Sequence, residues 1–145
     1  MALEHTDVEV GIADERDVEE VLGLWGAARS RYSSTPDTLA VIRRLRERDP
    51  EALLVARHRG RVVGTLIAAW DGWRGNMYRL AVAEDHRRQG IGLALVRAGE
   101  RRLWQCGARR VTALVGAEDE DATALWRAAD YEHDRLVSRF VKNLK

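Results

Sequence analysis

The sequence is poor in cysteine, proline and lysine. Its single cysteine, Cys106, excludes an internal disulfide, and His5, His58, His86 and His133 show no metal-ligand spacing, so no metal site is expected. No apolar run reaches the ~18 residues of a membrane helix, and residues 1–13 lack the apolar centre of a secretion signal. The chain therefore reads as cytoplasmic, without a membrane partner. Lys142 and Lys145 are the only lysines among 24 basic residues, which face 23 acidic ones for a net charge of +1. That balance argues against a general affinity for nucleic acid. The arginine excess suits phosphate recognition, but codon bias in a GC-rich genome produces the same composition, so position has to decide. With 145 residues, 46% of them hydrophobic, the chain reads as one domain over 1–145 with a core large enough to need no disulfide or metal.

The hydrophobic period changes along the chain. Val8, Val10 and Ile12 alternate as in a strand, and Asp14 then caps a helix whose buried stripe is Val18, Val21, Leu22, Trp25 and Ala28. Thr35-Pro36 reads as a cap and first turn of a second helix through Leu39, Ile42 and Leu45, stopped by Asp49-Pro50. Residues 52–56, 62–70 and 77–82 follow as a meander of strands, turning at Arg59-Gly60 and at Asp71-Gly72-Trp73-Arg74-Gly75. Ile91, Leu95, Gly99 and Leu103 mark a long helix ended by Gly107, with Arg102 on its apolar face in need of a partner. Residues 111–115 predict a strand, 118–129 a helix with an acidic start, and 136–141 a last strand, with a further short one at 131–133. The order is that of one α/β protein with a mixed α+β sheet.

One stretch carries chemistry. A strand ending in Leu80-Ala81-Val82 leads through a polar loop to Arg87-Arg88-Gln89-Gly90-Ile91-Gly92-Leu93-Ala94, where two glycines open a helix. The start of a helix offers unpaired N–H groups and partial positive charge, and glycine lets backbone approach an anion, so the segment can cradle a diphosphate. A P-loop would need a lysine in the loop, and a dinucleotide fold a glycine where Leu95 stands; both readings fail. Taken alone, the glycine pair could equally turn the chain and leave Arg87 and Arg88 solvated.

Arg87-Arg88-Gln89-Gly90-Ile91-Gly92 resembles the R/Q-x-x-G-x-G/A motif of the GNAT superfamily of acyl-CoA-dependent N-acetyltransferases, and Leu80-Ala81-Val82 resembles the strand ending that precedes it. The element order is similar over essentially the full chain. Asp71-Gly72-Trp73-Arg74-Gly75 and Tyr131-Glu132-His133 look like a subgroup of small bacterial members. The resemblance implies a GNAT-like fold, acetyl-CoA as co-substrate without metal, and an amine acceptor. It places the pyrophosphate on Gly90, Ile91, Gly92, Leu93 and Ala94 with Arg87, Arg88 and Gln89, and the pantetheine arm on Leu80, Ala81 and Val82. The N–H of Val82 would stabilise the oxyanion.

Departures from the family pattern concern the proton transfers. Asp119 stands where relatives carry asparagine, and Trp126 where they carry the tyrosine that often serves as acid; an indole donates a hydrogen bond but no proton. Asp71 is the first candidate for a base and Glu118 the second, although a turn residue bonding its own backbone and a carboxylate complementing a helix start account for them better. Trp70, Trp73 and Tyr78 are expected to line the amine pocket, with Arg31 and Tyr32 bordering it from the loop 29–35, whereas Trp25 and Trp104 are expected to pack. An acyl-CoA-binding module without turnover is the alternative, and a free sheet edge would permit a homodimer.

Overall fold

The computed structural model describes residues 7–27 and 37–144. Five strands, β1 (Val8–Ile12), β2 (Leu53–His58), β3 (Arg61–Trp70), β4 (Gly75–Val82) and β5 (Val111–Ala113), form one sheet in chain order. Neighbours are antiparallel except β4 and β5, which run parallel because helix α3 (Ile91–Cys106) crosses between them. Helices α1 (Val18–Ala27) and α2 (Leu39–Arg48) join β1 to β2, and α4 (Glu120–Ala128) follows β5.

The sheet separates two apolar cores. On one face α3 brings Ile91, Leu95, Val96 and Leu103 against Leu66, Ala68 and Met77. On the other, Val18, Val21 and Trp25 of α1 and Ile42 of α2 cover Leu53 and Val55. Each such side chain, removed from water, contributes about 1.5–3 kcal/mol. Charged groups that the chain must bury are paired: Arg102, on the apolar side of α3, reaches Asp49 and the carbonyl of Ala68. Asp17, 2% exposed, takes the fork of Arg57, with Arg57 Nε 3.0 Å from Asp17 Oδ1. Burial alone would raise the Asp17 pKa, but the hydrogen bonds from Arg57 and the Asp14 N–H, together with the Arg57 charge, lower it.

Four expectations change. Trp104, expected to pack, is 62% exposed with the Arg109 guanidinium 3.9 Å from its ring. Helix α2 is capped not at Thr35, which lies outside the described residues, but by Thr38, whose Oγ1 accepts the Val41 N–H at 3.1 Å. Neither 131–133 nor 136–141 forms a strand. Leu136 and Phe140 are 97% and 95% exposed. Alternation gives that segment a local preference for strand, but a strand needs a ladder, and among the described residues β5 pairs only with β4.

Candidate active site

The site begins where two parallel strands part. β5 pairs with β4 only from Gly75 to Met77, and the last link is the Leu114 N–H to the Met77 carbonyl at 3.4 Å. Beyond Met77, β4 is paired on one side only, with β3. The Ala83 N–H goes to Val63 at 2.8 Å, so in the alternating ladder Leu80 and Val82 turn their N–H groups to the open side. A bulge interrupts this half of β4: Thr65 lies opposite Ala81 and Ile67 opposite Tyr78, which leaves Leu66 facing both Arg79 and Leu80. Arg79 accordingly has φ +55°, a left-handed value that a side-chain-bearing residue adopts only when its surroundings hold it there. Buried Thr65 does the holding, since its Oγ1 donates to the Arg79 carbonyl at 2.9 Å and accepts the Trp25 indole N–H at 2.9 Å. After the bulge, Leu80 and Val82 belong to the core under α3, and Ala81 to the core under α1 and α2.

At the end of β4 the chain makes a single 3-10 turn, Glu84–His86, and enters α3 through Arg88 at φ +63° and Gly90 at φ +81°. No side chain caps the α3 N-terminus, so the first N–H groups of the helix are left for solvent or a ligand. Arg87, exposed, donates from Nε to the Val82 carbonyl at 3.2 Å, and Arg88 is exposed beside it. Helix dipole, arginines and glycine backbone thus meet at the start of α3. Ile91 is buried in the core, and Gln89, Leu93 and Ala94 are half-buried. Gly92 answers a second demand: a Cβ there would lie 2.6 Å from Leu125 Cδ1, so its smallness admits α4. The preceding turn is tied to β2 by His58 Nδ1 and His86 Nε2 at 2.9 Å, and His86 Nδ1 lies 2.8 Å from Asp85 Oδ1. Sequence spacing had given no reason to link these histidines.

The remaining candidates divide by which end of β4 they occupy. Glu118 and Asp119 follow β5 and so lie toward the C-terminal ends of the parallel pair, with the glycine loop. Asp119 caps α4, its Oδ1 accepting the Ala122 N–H at 3.0 Å. Asp71 lies in the β3–β4 turn at the other end of β4, about 23 Å of strand away from Val82. Its Oδ1 accepts the N–H groups of Trp73 and Arg74 at 2.8 and 2.6 Å, and those bonds, from Arg74 first, lower its pKa. It serves the turn and is a weaker base for doing so. Trp73 is 75% exposed beside Arg74, and Trp70 packs against the α3 core. Neither tryptophan joins the glycine loop. Tyr78 sits at the parting point, its pKa raised by burial first and by the charge of Asp71. Trp126 is 7% exposed in the core, with its ring 4.8 Å from that of Tyr131. The Tyr131 hydroxyl donates to Glu100 Oε2 at 2.7 Å, and burial together with that bond pushes its pKa well up. Arg31 and Tyr32 lie outside the described residues. Sequence reasoning missed the ion pair of Arg79 with Asp37, although an arginine in the middle of Met77-Tyr78-Arg79-Leu80-Ala81-Val82 was a visible break in the apolar pattern.

Parted parallel strands beside an uncapped glycine-opened helix suit a thioester with a diphosphate handle, and the sequence pattern of the Acetyltransferase (GNAT) family matches residues 18–131. The chain belongs to this family. As a GNAT acetyltransferase it depends on acetyl-CoA, and its curated relatives carry the same description. An acetyltransferase of Sodalis glossinidius is 30% identical over 137 residues, 94% of this chain and 96% of its own. One from Photorhabdus laumondii is 34% identical over 116 residues, 80% of each chain. Among solved structures, Ard1 of Thermoplasma volcanium aligns at TM-score 0.74 and 23% identity, over 84% of this GNAT chain and 80% of its own, which shows the shared fold. AAC(6')-Iy, solved with a CoA–acetylneamine bisubstrate analogue, aligns at TM-score 0.76 and 17% identity over 94% and 99%.

Proposed function

We propose that this acetyltransferase moves the acetyl group of acetyl-CoA directly to a primary amine in a ternary complex, in the cytoplasm where acetyl-CoA is at hand. The observation that carries this reading is the parting of β4 from β5, which leaves residues 80–82 with no strand on their open side, next to the uncapped start of α3. The glycine loop, Gly90 to Ala94, with Arg87, Arg88 and Gln89, would hold the pyrophosphate, and residues 80–82 the pantetheine arm. A solved neighbour of the same fold, bound to a bisubstrate analogue of CoA and acetylneamine, is in keeping with a ternary complex.

In the transfer, the neutral amine attacks the thioester carbonyl, a C–N bond forms, and the electrons of the C=O move onto oxygen. On this reading the Val82 N–H stabilises that charge, and holding both reactants in one cleft removes much of the entropic barrier. The C–S bond then breaks, and CoA leaves as a thiolate or takes a proton from water, since a thiol of pKa ~8.5 needs little help. This fits the burial of Trp126 and the engagement of Tyr131 with Glu100. Asp119 acts as the α4 cap beside the loop. Of the two carboxylates suggested by sequence, Glu118 is the one at the proper end, and it is our assignment for receiving the amine proton.

Free-thiol release from acetyl-CoA against a panel of primary amines tests the proposal. Acetyl-CoA binding without thiol release in any arm would favour an acyl-CoA-binding module instead. Glu118→Gln should lower kcat and leave acetyl-CoA affinity unchanged.

A further inference from the structure

One buried carboxylate oxygen lacks a partner at the point where β4 leaves β5. The Asp37 side chain is 8% exposed, and Asp37 Oδ1 is paired with Arg79 Nη2. Asp37 Oδ2 has no hydrogen-bond partner among the described residues. A carboxylate oxygen withdrawn from water without a donor in exchange is costly, and it calls for a donor that the described residues do not supply. Among the described residues the other two buried polar atoms without partners, Arg46 Nε and Arg102 Nε, are donors on guanidinium groups already paired with Glu15 and Asp49. Asp37 is the acceptor left over.

Its place is set by the bulge. Arg79 is the bulged residue, fixed through its carbonyl by Thr65, and its guanidinium stands 5.4 Å from the ring of Trp25 on α1. Asp37 therefore lies on the α1 and α2 side of β4, beside the segment whose N–H groups face the gap and across the sheet from α3. A carboxylate accepts and cannot donate, and one oxygen is already committed to a cation. The donor that matches the other oxygen best is an ammonium N–H.

We propose that Asp37 is an acceptor-binding residue, its Oδ2 receiving an N–H of a cationic amine on the acetyl acceptor while Arg79 holds the carboxylate in place. The proposal rests on the acetyltransferase reading above and narrows the acceptors to those that present a positive charge at the bulge of β4.

The test is calorimetric titration of the CoA-loaded protein with n-butylamine near neutral pH, where the probe is an ammonium ion, and with n-butanol as its uncharged counterpart. Wild type should bind n-butylamine about tenfold or more tightly than n-butanol, the difference one charge-assisted hydrogen bond supplies. Asp37→Asn should lose that preference, and Asp37→Glu should keep part of it. CoA affinity, measured on the same proteins, should not change. Equal affinity of wild type for the two probes, no binding of n-butylamine, or an unchanged preference in Asp37→Asn would each overturn the assignment. If Asp37→Asn fails to fold, Asp37→Glu and the wild-type comparison keep the assignment falsifiable. Failure of wild type to bind CoA would instead overturn the acetyltransferase reading of the cleft.

Discussion

The two halves of β4 share a strand and differ in almost everything else. From Gly75 to Met77 it is paired on both sides, by β3 and β5, and Met77 is fully buried under α3. From Tyr78 to Val82 it is paired on one side, bulged at Arg79, and no residue of it is buried. The first half gives up every backbone group to the fold, and the second keeps some back. In the function proposed above, the site is made by ending β5 early, so that backbone a longer partner would have covered remains available to a ligand.

If this division is real, substitutions in the closed half should cost stability and those around the open half should cost binding. The largest effect is expected for Met77→Ala, which should lower unfolding free energy by about 2–5 kcal/mol in denaturant titration. Acetyl-CoA affinity of the folded fraction should stay the same, and a parallel loss of affinity would break the comparison. Gly90→Val should lower acetyl-CoA affinity about a hundredfold in calorimetry, because a β-branched residue is strained at φ +81° and its Cβ intrudes on the cradle. Unchanged affinity in a folded variant would remove the cradle from that loop. Gly92→Ala sits across the divide: the new Cβ, 2.6 Å from Leu125, should cost about 1–3 kcal/mol of stability by overpacking α4. Arg87→Ala should weaken CoA about tenfold and pantetheine hardly at all, since only CoA offers phosphates to the guanidinium. Equal losses would give Arg87 a packing role through its bond to Val82. The smallest effect is expected for Trp126→Phe. The rate should rise with pH as the acceptor amine loses its proton, without a descending limb, and this one-sided profile should be the same in the variant.

Much of this fold was legible because its signals are local. The alternation of Val8, Val10 and Ile12, the stripe from Ile91 to Leu103 and the stop at Gly107 each depend on neighbours a few residues away, and each was recovered. The glycine-opened start of α3 was legible for the same reason, since it is a contiguous piece of chain. What escaped depends on partners far along the sequence. The strand expected at 136–141 had the right residues and no ladder to join. The pair of Asp37 with Arg79, and the hydrogen bond of Trp25 to Thr65, join elements that only the folded sheet brings together. Asp71, offered by the sequence both as a turn residue and as a base, bonds the turn, and a carboxylate in a turn and one in a cleft look alike until the direction of the strand after it is known.

The shortness of β5 also bears on the order in which the protein assembles. β2, β3 and β4 are joined by tight turns and can zip together as each hairpin closes. β5 reaches β4 only after the whole of α3 has been laid across the sheet, and it then gains a ladder of three residues. Closing so long an excursion for so few bonds makes this pairing late to form and early to open, and amide exchange at Val111–Ala113 should outrun that of every other strand. The wall of the catalytic cleft is thus the least cooperative part of the sheet, free to breathe while the meander behind it stays shut.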